Sequence, residues 1–267
     1  MNRLLREFRL IPIVLVAAAR GAPLLLGGRD WTWQGAWRAF SAQGPWGMWR
    51  DLSLGLPGAH QVENACTALA ALDQVNRAGV SIAEDAIRRG LANARWPGRF
   101  ERHTIAGRDV VFDGAHTPAA AKALVETWQA EYGPSRATVV LGLGADKDAS
   151  AFLAALRPIA ARLYVTRADS PRAADPVSIA EHARQQGYEA RTFPSVADAI
   201  ALALATDTAP LLITGSLFVA GEGREALGLA EPDRAWHALI AAGRARTPAD
   251  PARDTPPSRE GGPATIR

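Results

Sequence analysis

The stretch Val110-Val111-Phe112-Asp113-Gly114-Ala115-His116-Thr117-Pro118 decides the fold. Its apolar start reads as a buried strand ending at Asp113. Gly114 gives a tight turn, and Pro118 falls in the first turn of a helix, where its missing N–H is no loss. Such a junction puts Asp113 and His116 at the carboxyl end of a sheet, the edge where open α/β folds bind ligands. Downstream, apolar strands at Thr138–Leu143, Leu163–Thr166 and Leu211–Thr214 are separated by helices near 118–131, 149–160, 176–187 and 195–206. That alternation predicts a mostly parallel sheet with helices on both faces, an α/β fold. A short helix is expected to run on to Arg244, followed from Thr247 by a disordered tail rich in Pro, Arg, Asp, Ser and Gly.

Upstream, Trp96-Pro97-Gly98-Arg99 breaks the pattern and is the expected domain boundary. Before it come two helical periods. Ala65, Leu69 and Leu72 share one face, and Ala83, Ile87 and Leu91 another. Asn76-Arg77-Ala78-Gly79 closes the first helix, and Ser81 with Glu84 reads as a capping box for the second. Residues 20–56, with Gly27-Gly28 and Trp31, Trp33, Trp37, Trp46 and Trp49, predict a small antiparallel sheet whose tryptophans form core or interface. The expected organisation is therefore 1–95, 96–230, and a terminal 231–267. At the front, Arg3, Arg6 and Arg9 precede an apolar run from Leu10 to Ala19. This imitates a signal peptide with Ala17-x-Ala19 as cleavage site, or else is a core helix or strand. The rest of the chain reads as intracellular, so a cytoplasmic location is expected.

Several chemistries are excluded or disfavoured. The only lysines, Lys122 and Lys147, do not lie in a G-x-x-x-x-G-K-[ST] loop, so residues 1–267 hold no phosphate cradle of that kind. Cys66 is the single cysteine, which rules out an internal disulfide or a cysteine-built zinc site. It reads as a small packed helix residue. The five histidines show no H-E-x-x-H or other ligand spacing, so no protein-held metal is expected. No G-x-S-x-G elbow is present. Gly142-Leu143-Gly144 resembles the start of a dinucleotide loop, but Lys147 stands where the third glycine belongs. The net charge of +3 is spread among scattered arginines without a basic block, against nucleic-acid binding. No apolar run reaches eighteen residues, against a membrane span.

Four pieces in order carry a resemblance: Leu56-Pro57-Gly58-Ala59-His60-Gln61-Val62-Glu63-Asn64-Ala65, Trp96-Pro97-Gly98-Arg99-Phe100-Glu101, Asp113-Gly114-Ala115-His116, and Thr214-Gly215-Ser216-Leu217-Phe218-Val219-Ala220-Gly221-Glu222. From about Ala19 to Leu229 the chain resembles the C-terminal half of the folylpolyglutamate synthase/dihydrofolate synthase family, in the Mur ligase superfamily. His60-Gln61 before Asn64-Ala65, and the Gly-Ser-Leu-Phe ending, favour the folate branch. The resemblance implies a Mur ligase-type C-terminal α/β domain preceded by the last part of an ATP-binding domain. It implies ATP-dependent amide formation with Mg2+. A carboxylate of dihydropteroate or a folyl-glutamate takes the γ-phosphoryl group, and the amine of L-glutamate displaces phosphate.

Carried over by position, Asn64 would hydrogen-bond adenine, or else satisfy its own helix. Arg99 would reach the ATP phosphates or ribose, or else pair with Glu101 on the surface. Asp113 would accept from ribose hydroxyls, or else cap a helix. His116, the candidate catalytic-site residue, would lie near glutamate or ribose as a binding group more than a proton carrier, or else be a solvated first-turn histidine. Asp146-Lys147-Asp148 is either an electrostatic lining for glutamate or a charged turn. Ser216 is expected to cap the last helix. Thr117 stands where the family usually has Asn, which could loosen the helix start or weaken glutamate contact.

The family's phosphate loop, magnesium ligands and folate pocket have no counterpart in these residues. The chain therefore reads as a truncated ligase inactive alone, or as a module complementing a separately encoded N-terminal half. Another Mur ligase family protein is a further reading, and an unrelated secreted or oxidoreductase α/β protein is the outside alternative.

Overall fold

The structure, a computed structural model, describes residues 12–231. The Arg3, Arg6 and Arg9 flank, the helix expected to reach Arg244 and the tail from Thr247 lie outside the described residues. Residues 12–19 form a helix, α1, that is largely exposed. No described helix is long and apolar enough to cross a membrane.

Three short strands follow: β1 (Thr32–Ala36), β2 (Ala39–Gly44) and β3 (Gly47–Leu52), an antiparallel meander in that spatial order. Gly47, at φ +95, supplies the left-handed turn residue that joins β2 to β3. Trp31, Trp37, Phe40 and Leu52 pack on two helices, α2 (Ala59–Arg77) and α3 (Glu84–Asn93), through Val62, Cys66, Leu69 and Ile87. The tryptophans thus build core, as expected. Cys66 is a free, buried thiol, and burial pushes its pKa up to about 11.

The capping box is not formed. Helix α3 starts at Glu84 behind an N-cap Ala83 with no side-chain cap. Asn76 Oδ1 accepts from the Ile82 N–H at 2.9 Å, which holds residues 81–83 outside the helix. Glu84 then sits in the first helical position instead of the third, and it pairs with Arg88 at 2.6 Å. Ala83 is accordingly exposed, while Ile87 faces the core.

The second sheet holds β4 (Glu101–Ile105), β5 (Arg108–Asp113), β6 (Ala137–Leu141), β7 (Ala160–Val165), β8 (Ala190–Thr192) and β9 (Leu211–Thr214). Their spatial order is β4-β5-β9-β6-β7-β8. Only the β4–β5 pair is antiparallel. Helices α4 (Pro118–Tyr132), α5 (Ala149–Leu156) and α6 (Pro176–Gln185) pack side by side on one face, and α7 (Val196–Thr206) packs against α8 (Leu217–Ala226) on the other. The strands alternate between the two layers. Val139 and Leu141 face Leu124, Trp128 and Phe152, whereas Val140 faces Ile200 and Val219. The mostly parallel α/β architecture is the one the sequence predicted. Two strands were missed: β4, a charged antiparallel edge, and β8, three residues long.

The topology positions the site. From β5 the chain steps to β6, β7 and β8, then returns to place β9 between β5 and β6. Helices α4 and α5 leave β5 and β6 toward one face, and α8 leaves β9 toward the other. That divergence opens a crevice at the carboxyl ends of the three strands.

Candidate functional site

Asp113 ends β5 with a largely desolvated carboxyl. Its Oδ1 accepts from the Ala115 N–H at 2.8 Å, and its Oδ2 from the Phe100 N–H at 2.9 Å. It does not cap α4. Thr117 does, accepting from Ala120 N–H at 3.2 Å, so the threonine keeps the helix start closed. Burial raises the Asp113 pKa, opposed by the two amide bonds and by the charge of Arg99. An under-solvated carboxylate of this kind gains most from further donors, and a vicinal diol offers two.

The turn from Trp96 to Phe100 is fastened to this junction. Gly114 N–H donates to Gly98 O at 2.8 Å, beside the Phe100 bond to Asp113. A side chain at Gly114 would collide with Leu217, so the close approach of turn, strand end and α8 requires glycine there. Arg99, at the tip, is exposed. Its charge bears on two neighbours: it opposes the rise in Asp113, and it adds to burial in lowering the pKa of His60, against Glu126 and Glu63. Arg99 is not the partner of Glu101, whose carboxylate is taken by Gly98 N–H, His103 and Arg224.

His60 lies in the first turn of α2, and Asn64 is one turn further along the same face. Asn64 is exposed and donates from Nδ2 to Gln61 Oε1 at 3.0 Å. The structure thus joins the turn that carries Arg99 to Asp113 through the Phe100 amide, and it gives Asn64 no contact with either. His60 received no role from the sequence, although it opens the motif. The effect of the Arg99 charge on its titration depends on tertiary packing.

His116 faces a different space. Its ring Nδ1 meets Gly114 O at 2.9 Å, and the side chain lines a cleft of about 180 Å³ together with Gly142, Lys147, Ser170, Arg172 and Ser216. Gly215, at φ +98, lies so close to β6 that a Cβ would come within 2.5 Å of Gly142 O. Lys147 pairs with Asp146 at 2.8 Å, and Arg172 lies 3.7 Å from the same carboxylate. Two cations against one acid leave a positive balance that suits a carboxylate ligand. Asp148 is spent on capping α5, where it accepts from Ala151 N–H, and Ser216 caps α8 as expected. Arg172 sits in no motif and was not legible. Among the described residues, no group of three or more His, Cys, Asp or Glu could hold a metal ion.

Comparison with known proteins bears on the family and the fold. Residues 98–217 match the family described as Mur ligase, glutamate ligase domain. A dihydrofolate synthase/folylpolyglutamate synthase of Mycobacterium tuberculosis is 36% identical over 205 residues, covering 70% of this chain and 42% of the relative. The crystal structure of the folylpolyglutamate synthase of Mycobacterium tuberculosis, complexed with ADP and AMPPCP, superposes with a TM-score of 0.74 at 30% identity. That match covers 84% of this chain and 53% of the solved one. A bifunctional folylpolyglutamate synthase/dihydrofolate synthase with Mn, AMPPNP and L-glutamate bound matches at TM-score 0.70 and 30% identity, over 81% of this chain and 50% of its own. The chain spans about half the length of the relatives it matches.

Proposed function

Because the chain belongs to the Mur ligase family, within reach of its folylpolyglutamate/dihydrofolate synthases, we propose that it forms the nucleoside- and amino-acid-gripping part of an ATP-dependent amide-forming ligase of folate metabolism. In that reaction the γ-phosphoryl group passes from ATP to a carboxylate of dihydropteroate or folyl-glutamate, giving an acyl phosphate and ADP. The amine of L-glutamate then attacks the acyl carbon, phosphate leaves, and the amine sheds its proton. The domain reading at 1–95 and 96–230 goes with this proposal. The first part belongs to the ATP-binding domain and the second is the glutamate ligase domain.

Asp113 accepts from the ribose hydroxyls, Arg99 reaches the phosphates, and Asn64 reads the adenine edge from α2. His116, with Lys147 and Arg172, holds a carboxylate of the incoming glutamate and acts as a binding group. Magnesium, when bound, would neutralise phosphate charge. No set of described residues fits it as ligands, so none of them is given that role. The phosphate loop has to come from outside residues 1–267, on the same polypeptide or on a separately encoded half.

What supports the reading is the fastening of the Arg99 turn to the end of β5, where Phe100 N–H donates to Asp113 and Gly114 N–H to Gly98 O. Titration calorimetry with ADP tests it. The chain is expected to bind ADP, and Arg99→Ala to weaken binding about tenfold or more, the value of a charge-assisted contact. Equal affinity in the two proteins would remove Arg99 from the site. Mixing the chain with a polypeptide that carries the phosphate loop, then following phosphate release with glutamate and dihydropteroate, tests the ligase activity itself.

A further inference from the structure

We propose that Glu101 is the positioning residue of the nucleotide arm: it holds the turn that carries Arg99 and ties that turn to α8. The inference rests on Arg99 acting on the nucleotide phosphates.

The turn needs holding. Gly98 stands at φ +71 and Phe100 at φ +44, and the left-handed region is unfavourable for a residue that carries a Cβ. Two backbone N–H groups flanking Arg99 are each fixed by a carboxylate. Phe100 N–H donates to Asp113, and Gly98 N–H donates to Glu101 Oε2 at 2.9 Å. Both acids are themselves set by strands, Asp113 at the end of β5 and Glu101 at the start of β4, where it pairs in register with Phe112. The short segment around Arg99 is therefore clamped on either side.

Glu101 is well placed to bear this load. Its carboxylate is mostly covered, with 16% of the side chain exposed. His103 Nε2 lies 2.8 Å from Oε1, and Arg224 Nε lies 3.1 Å from Oε1 and 3.0 Å from Oε2. Hydrogen bonds from cations are roughly twice as strong as neutral ones. Burial favours the neutral acid, but His103, the Gly98 amide and Arg224 outweigh it and hold the carboxyl below the usual glutamate range. Arg224 lies in the last turn of α8, and the first turn of that helix, from Ser216 to Val219, walls the cleft at His116. One ion pair thus ties the Arg99 turn to the helix that shapes the amino-acid side.

The test titrates the chain and its Arg99→Ala, Glu101→Ala, Glu101→Gln, Arg224→Ala and Arg99→Ala/Glu101→Ala forms with ADP and with adenosine. Glu101→Ala is expected to weaken ADP about tenfold and to leave adenosine within about twofold, because only the phosphate contact is lost. The double form should bind ADP no more weakly than Arg99→Ala alone, since one substitution acts through the other. Glu101→Gln keeps an acceptor for Gly98 N–H and should recover part of the loss. Should Glu101→Ala fail to fold, Glu101→Gln and Arg224→Ala carry the same comparison from two different elements.

The proposal is overturned if Glu101→Ala binds ADP like the unsubstituted chain, if ADP and adenosine weaken equally, or if the double form is additive. If Arg99→Ala itself leaves ADP affinity unchanged, or the chain binds no ADP, the phosphate reading fails and the positioning role falls with it. Loss in Arg99→Ala with none in Glu101→Ala removes the positioning role alone.

Discussion

The two sides of the candidate site are built differently. The Asp113 junction is backbone made: amides from Phe100 and Ala115 fix the carboxylate, and Gly114 N–H meets Gly98 O. The cleft at His116 is side-chain made: Lys147 and Arg172 share Asp146, and Arg172 is 74% exposed. Amides in a closed turn are in place before a ligand arrives, so binding there orders little. A long exposed cation such as Arg172 must be ordered by the ligand, and it loses rotamer freedom when it binds. The junction suits a ligand placed the same way every turnover. The cleft suits a small anion held mainly by charge.

The strongest way to break this contrast is Asp113→Ala. It removes the acceptor of two backbone N–H groups in a half-buried turn, and with it the proposed ribose contact. We expect ADP affinity to drop on the order of a hundredfold, from two charge-assisted bonds of about 1.5 kcal/mol each. Amide hydrogen exchange at Phe100 and Ala115 should speed up in the same protein. Calorimetry showing unaltered ADP binding would sink the preorganised reading of the junction.

Lys147→Ala should do less, and elsewhere. Loss of one partly covered cation is expected to weaken glutamate binding about tenfold or less, with ADP affinity untouched. Glutamate binding to the unsubstituted chain should fall as salt rises from low to physiological strength, because screening acts on exposed charges, while the enclosed Asp113 contacts change little. Parallel titrations of the two ligands at two salt concentrations separate the sides. Equal salt dependence for both ligands would mean they are not built as described.

The same contrast sets what could be read from the sequence. The strand–Asp–Gly–helix junction was legible because every requirement in it is local: an apolar run, a glycine that must lack a Cβ against Leu217, a proline in the first turn. Helix α2 was legible from its apolar periodicity and its close at Asn76-Arg77-Ala78-Gly79, and α4, α5, α6 and α7 from their place between apolar strands. Arg172 was not, because it follows β7 in an irregular loop and reaches Asp146 only through the fold. Strand β4 was hidden by its composition. An antiparallel edge with one wet face can carry Glu, Arg, His and Thr, which read as loop. Its first residue, Glu101, was weighed as a partner for Arg99, and only the packing of α8 revealed Arg224 in that place. The supposed capping box failed for a related reason: Asn76, six residues away, claims the Ile82 amide and shifts the helix start.

The smallest expected effect lies inside the junction, where two carboxyls titrate in opposite senses. Glu101 has its folded pKa held below the ordinary value, so it binds its proton more readily in the unfolded chain. Its stabilising contribution is full above the unfolded glutamate pKa and is lost as pH falls through the lower, folded one. Asp113 has its folded pKa raised by burial, so the folded chain holds that proton more tightly. Its contribution is full below the unfolded aspartate pKa and is lost as pH rises through the higher, folded one. Denaturant unfolding across acidic pH should therefore respond oppositely to two substitutions. Glu101→Gln should flatten the loss of stability on acidification. Asp113→Asn should remove the loss seen as pH climbs out of the acid range. A bound nucleotide whose ribose donates to Asp113 favours its charged form, so saturating ADP should pull the Asp113 transition to lower pH and leave that of Glu101 where it was. Should ADP shift both transitions, or neither, the ribose contact would not run through Asp113.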